Sequence, residues 1–177
     1  GSITDIPRED YLEAEERVIS ELKELGKPFL VLLNSSYPGS ERARAIRADI
    51  ASRYDVTCMA VNCLQLGEED VAGIIKAVLY EFPLKELSLS LPPWVDALPY
   101  DHPIKNGLYA AIREGAGNLR RIRDVEHTIE AIGTYEGVSS ARIRTIELGT
   151  GLASADLDLP RSLFYETISD QSGFTIH

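Results

Sequence analysis

The spacing of apolar side chains divides the chain into two stretches with different rhythms. Over residues 8–25, Tyr11, Ala14, Val18, Leu22 and Leu25 recur at helical intervals and predict one apolar helix face. Pro7 and the acids Glu9, Asp10 and Glu13 suit the positive end of that helix, and Gly26 suits its left-handed stop. Residues 28–34 then run apolar without alternation and end at Asn34, the pattern of a strand covered on both faces. Pro38, Gly39 and Ser40 turn the chain. Ser40 is placed to cap a second helix reaching about Tyr54, with Ala43, Ile46 and Ile50 inward. A second apolar strand, 56–61, ends at Asn62. A third helix starts near Gly67 behind Glu68, Glu69 and Asp70. Its Val71, Ile74, Ile75, Val78 and Phe82 predict a wide buried stripe, stopped at Pro83.

Strands alternating with helices predict an α/β fold with a parallel sheet and crossover connections. Two such strands cannot cover both of their faces alone, so residues 1–83 read as the rear part of a larger parallel sheet. Adjacent parallel strands would bring Asn34, Ser35 and Ser36 to the same edge as Asn62, Cys63 and Leu64. That edge is where open α/β sheets bind ligands.

Beyond Pro83 the rhythm changes. Residues 85–91 alternate, with Leu87, Leu89 and Leu91 to one side, so this strand has one buried face and should join a second sheet. A boundary near Pro83 follows, with residues 84–177 a smaller α+β module. Prolines make 92–103 an irregular connector. Helices are predicted over 103–114 and 118–132, the latter with an inward stripe of Leu119, Ile122, Val125, Ile129 and Ile132. Residues 141–148 and 152–159 predict an antiparallel hairpin turning at 149–151, with Ala153, Ala155, Leu157 and Leu159 inward. A phosphate-cradling role for Gly149, Thr150 and Gly151 would need a helix starting there, and none is predicted. Pro160 opens a last helix to about Ser169, and Phe174 to Ile176 reads as a strand cut short. The pattern is that of an internal fragment.

Composition narrows the chemistry. A length of 177 residues allows one good core or two small ones, and 44% hydrophobic with 26% charged residues is ordinary for a globular domain. A net charge of -10 argues against nonspecific nucleic-acid binding. No apolar run approaches the roughly 18 residues of a membrane span, and no secretory signal pattern opens the chain. Cys58 and Cys63 lack the spacing of a metal pair, and Cys58 reads as a small buried side chain in a reducing compartment. His102, His127 and His177 are scattered, His102 in a surface turn. Glu13, Glu15 and Glu16, like Glu68, Glu69 and Asp70, read as solvated helix faces. Arg120, Arg121 and Arg123 read as a solvated face paired with Asp124 and Glu126, the alternative being a phosphate or partner contact. No nucleophile elbow, GxxxxGK[ST] loop or GxGxxG loop occurs. No catalytic or metal-ligating residue is identified.

One strand end carries a more specific signal. In P-loop GTPases the matching strand ends Asn-Lys-x-Asp, whose Asp accepts two hydrogen bonds from guanine. Here Asn34 stands, but Ser35, Ser36 and Tyr37 follow, so no carboxylate can pair with guanine. Longer stretches resemble the stage IV sporulation protein A family: residues 4–16 (TDIPREDYLEAEE), 27–35 (KPFLVLLNS) and 56–71 (VTCMAVNCLQLGEEDV), then 91–95 (LPPWV), 120–125 (RRIRDV) and 146–151 (IELGTG).

The resemblance implies an ATPase derived from P-loop GTPases, which in the complete protein uses ATP and magnesium to drive self-assembly into the base layer of the spore coat. It implies the C-terminal part of the nucleotide-binding domain in residues 1–83 and the start of a middle domain in 84–177. Asn34, Ser35, Ser36, Asn62, Cys63 and Leu64 would hold the purine base. The phosphate loop would precede residue 1, so this chain alone is expected to bind no cofactor and to be inactive. The implied partners are further copies, spore coat proteins and a small amphipathic membrane-anchoring protein, the last two through other regions. The implied location is the mother-cell cytoplasm at the forespore surface. Two other readings stay open: a non-catalytic scaffold with a degenerate nucleotide site, and a GTPase fragment with weakened base recognition.

Overall fold

The computed structural model describes residues 7–172. The chain separates into two compact units, Gly1–Glu81 and Phe82–His177.

In the first unit the order is α1 (Glu9–Glu24), β1 (Val31–Asn34), α2 (Glu41–Tyr54), β2 (Cys58–Val61) and α3 (Glu68–Tyr80). β1 and β2 pair in parallel with Asn34 opposite Val61, so both strands end at the same edge. The turn chemistry is as the sequence predicts. Gly26 takes φ 64° after α1, and Ser40 Oγ accepts the N–H of Ala43 at 3.2 Å to start α2. Ile19, Ile50, Val56 and Cys58 form the core, with Phe29, Val31, Leu33 and Ile46 packed on it.

Two helix faces differ from expectation. α1 turns Leu12, Glu15, Ile19 and Leu22 inward, while Tyr11, Val18 and Leu25 are exposed. The inward face contains a carboxylate, which a purely apolar stripe would exclude. Glu15 is tolerated there because Arg8 grips both its oxygens, at 2.9 and 3.0 Å. That bidentate bond is the main reason the Arg8 guanidinium is held above its ordinary pKa. Glu15 is therefore not on a solvated face. α3 has no buried residue, and Val71, Ile75 and Phe82 are 44%, 56% and 41% exposed instead of forming a buried stripe. Among the described residues this sheet is two strands wide. α3 lies over β2 where Gly73 approaches Met59, and so narrow a support covers only part of an apolar helix.

The second unit runs β3 (Glu86–Ser90), α4 (Pro93–Asp96), α5 (Pro103–Gly115), a 3₁₀ turn (Ala116–Asn118), α6 (Asp124–Gly133), β4 (Ser140–Glu147), β5 (Leu152–Asp158) and α7 (Arg161–Ser172). The sheet order is β3-β5-β4. β4 and β5 form the expected antiparallel hairpin, and β3 joins β5 in parallel. Glu86–Ser90 thus lies in the second sheet, as its alternation requires. Residues 173–177, including the strand expected at Phe174, fall outside the described residues.

The helix expected over 118–132 begins only at Asp124. Residues 120–122 instead run beside 82–84: Leu84 N donates to Arg120 O at 2.9 Å and Ile122 N to Phe82 O at 3.0 Å. The Asp124 carboxylate accepts the N–H groups of Arg120 and Arg121 at 3.1 and 2.8 Å, which holds this segment out of a helix. The predicted stripe is inward all the same, with Ile122, Val125, Ile129 and Ile132 at most 3% exposed.

β4 carries a bulge. Ile143 pairs with Ala155 and Thr145 with the adjacent Ser154, leaving Arg144 as an extra residue. Ile143 and Ile146, three apart in sequence, both pack on the core because of it. At the hairpin turn Gly151 has φ 74°, and a Cβ there would lie 3.0 Å from the Pro83 carbonyl oxygen. Its N–H bonds Glu147 O at 2.9 Å and its carbonyl accepts Lys85 N at 2.8 Å. The glycine pair closes a turn and pins β3.

Candidate functional site

The edge where β1 and β2 end is built by side chains that tie the two following loops to each other. Ser35 N donates to Val61 O at 2.9 Å, extending the parallel ladder one step past Asn34. Asn34 Oδ1 then accepts the N–H of Cys63 at 3.1 Å, from one loop to the other. In return, Asn62 Nδ2 donates to Ser36 O at 3.4 Å and to Gln65 Oε1 at 3.3 Å. Asn62 Oδ1 folds its own loop by accepting Leu64 N at 3.1 Å, and Ser35 Oγ does the same for Tyr37 N at 3.2 Å. All six residues singled out in the sequence, Asn34, Ser35, Ser36, Asn62, Cys63 and Leu64, are therefore brought together.

Their roles within the pair of loops are unequal. Asn34, Ser35 and Asn62 commit side-chain oxygens to internal bonds, so those atoms brace the loops. The Asn34 amide nitrogen keeps its donor capacity. Between residues 34 and 37 and between 62 and 66 there is no carboxylate. The next acid in chain order to engage the backbone here, Asp70, accepts Gly67 N at 2.9 Å and serves the start of α3. Tyr37 and Leu64, one from each loop, are 77% and 87% exposed.

Gln65 was not foreseen. It joins the Asn62 network, and its signal was only its place three residues after an Asx-type turn residue. The two thiols differ sharply: Cys63 is exposed on the loop, whereas burial pushes the Cys58 thiol above its ordinary pKa.

Elsewhere the remaining candidates take structural positions. His102, expected in a plain surface turn, caps α5 through Nδ1, which accepts Ile104 N at 3.3 Å. Arg123 lies 3.8 Å from Asp124. Among the described residues no group of three or more His, Cys, Asp or Glu side chains could hold a metal ion, and no helix is long and apolar enough to cross a membrane.

Comparison with known proteins follows the same division. Residues 1–83 match the family model for the stage IV sporulation protein A ATPase domain, and residues 84–177 match its middle domain. Stage IV sporulation protein A of Clostridioides difficile (strain 630) and that of Bacillus subtilis (strain 168) are each 38% identical over 176 residues. The Bacillus anthracis protein is 35% identical over the same length. These alignments cover 99% of this chain and 36% of each relative, so the chain spans about a third of their length. No solved structure matches. With one family's models matching end to end, the chain belongs to the stage IV sporulation protein A family.

Proposed function

We propose that the loops after β1 and β2 form the purine end of an ATP pocket in a sporulation ATPase related to P-loop NTPases. The observation that carries this reading is the bond from Cys63 N to Asn34 Oδ1, which locks two loops into one rim at a parallel strand edge. The match of this region to an ATPase domain supports it. The residues fit the base of ATP: a free amide donor, exposed backbone and no anionic acceptor for guanine. They do not fit its phosphates or magnesium, because the sequence has no phosphate-cradling loop and the described residues offer no metal cluster. No phosphoryl-transfer step is assigned to this chain.

In the complete protein ATP hydrolysis would drive self-assembly into the spore coat base layer, at the forespore surface in the mother-cell cytoplasm. The second unit would serve as a structural module of that assembly. Coat proteins and a small amphipathic anchoring protein would bind through other regions.

Titration of the complete protein with ATP and GTP tests the site. ATP should bind tighter, and Tyr37→Asp, which restores an Asn-x-x-Asp spacing, should shift the preference toward GTP by roughly tenfold or more. An unchanged ratio in a folded variant would remove this loop from the base. Binding of neither nucleotide would favour the scaffold reading, and a wild-type preference for GTP the GTPase reading. This chain alone should show no magnesium-dependent ATP turnover above background, measured as phosphate release.

A further inference from the structure

We infer that the base is held by its ring faces, with Tyr37 as the principal stacking residue and Leu64 as a second apolar contact. This rests on the proposed site and goes further, because it assigns most of the contact to residues other than the asparagines and serines. Hydrogen-bond readout requires side-chain groups that point out of the loops and are not already paired. Here Asn34 Oδ1 is bonded to Cys63 N, Ser35 Oγ to Tyr37 N, and Asn62 to Leu64 N, Ser36 O and Gln65. Turning any of them toward a ligand would break the bracing that forms the rim.

Beside the Asn34 amide nitrogen, the Ser36 hydroxyl and the Cys63 thiol, the bracing leaves one aromatic ring and one branched aliphatic side chain facing solvent, and these two are the large surfaces among them. Tyr37 and Leu64 are among the most exposed large apolar residues of the chain, at 77% and 87%. The backbone at each is held by a bond from its own N–H, Tyr37 N to Ser35 Oγ and Leu64 N to Asn62 Oδ1. A flat heteroaromatic ring is the ligand class that such a pair accommodates, since stacking needs a π-face and no particular donor pattern. Tyr37 also stands three residues after Asn34, where a guanine-reading carboxylate would be. The aromatic ring there contributes affinity for either purine without selecting guanine.

The test is nucleotide affinity of the complete protein, measured by calorimetry for wild type and for Tyr37→Ala, Tyr37→Phe, Leu64→Ala and Asn34→Ala. Tyr37→Ala should weaken ATP and GTP alike, by about tenfold or more, whereas Tyr37→Phe should stay within about threefold of wild type. Leu64→Ala should weaken both by a smaller factor. Because both side chains are exposed, circular dichroism should show every one of these variants except Asn34→Ala folded as wild type. Unchanged affinity in Tyr37→Ala beside a loss in an Asn34→Ala variant shown to be folded would overturn the stacking assignment and leave the site standing. No loss in any variant would overturn both. A Tyr37→Phe loss as large as that of Tyr37→Ala would place recognition on the hydroxyl and overturn stacking, and an unchanged Leu64→Ala would overturn the second contact.

Discussion

The two units solve the same burial problem with different sheets. The second has a mixed three-stranded sheet that needs cover on one face. Two clusters supply that cover, one around Val125, Ile129, Ile132, Ala155 and Leu157, the other around Val95, Leu108, Val138 and Leu159. Its other face is polar, with Arg142 and Arg144 on β4 paired to Asp158 and Asp156 on β5. The first unit has a parallel pair, whose strands are apolar on both sides and need helices above and below. Its core is a single small cluster, and Val18, Leu25, Val71 and Ile75 remain exposed. Local sequence patterning is equally clear in both units. What differs is how much apolar surface each sheet can shelter.

Substitutions should expose that contrast. Leu157→Ala, at 1% exposure in the second core, should cost about 2–5 kcal/mol in urea unfolding. Ile50→Ala in the first unit should cost toward the low end of the same range, since fewer buried neighbours surround it. Equal losses would mean the two cores are equally tight. Ser40→Ala removes the cap on α2 and should cost about 1 kcal/mol, with Ser40→Asp recovering it. Val71→Ser and Ile75→Ser should change stability by no more than about 0.5 kcal/mol. A larger loss would show that something covers α3 in solution.

The smallest effect is electrostatic. Hydrogen bonds from Ser140 and Arg142 hold the Asp158 carboxyl below its ordinary pKa. A depressed folded-state pKa contributes stability above the unfolded value and loses it as pH falls through the folded one. The difference in thermal midpoint between wild type and Asp158→Asn should therefore be greatest near neutrality and shrink below about pH 4. Thiol labelling gives a separate comparison: Cys63 should react in the native protein, and Cys58 only on unfolding.

Most of the element order was legible because apolar period and turn chemistry agree with each other. Ser40, Gly26 and Gly151 each mark a real boundary. The misreadings have two sources: periodicity does not report what satisfies the backbone or the charges, and it does not report how much cover a helix face finds, as the exposed stripe of α3 shows. Residues 118–132 show the predicted inward side chains, yet the first part is extended because Asp124 and the 82–84 segment take its backbone hydrogen bonds. Asp124 and Glu126, acids suited to a first helical turn, were the signal for the true start. α1 was rotated because Glu15 was assumed solvated, and only the Arg8 pairing shows otherwise. At the site, parallel adjacency and the lack of an aspartate were readable from the sequence. The internal bonding of Asn34 and Asn62 was not, because an amide beside a turn can face inward or outward with the same spacing.

The extra residue at Arg144 bears on a hazard that neither unit's core addresses. Paired on one side with β5, β4 has no further strand beside it among the described residues, and a flat eight-residue edge would be a template for another chain. The bulge bends and twists that edge. Straightening the strand by deleting Arg144 would turn a guarded border into an adhesive one. The first symptom would be loss of solubility at high concentration, before any loss of fold.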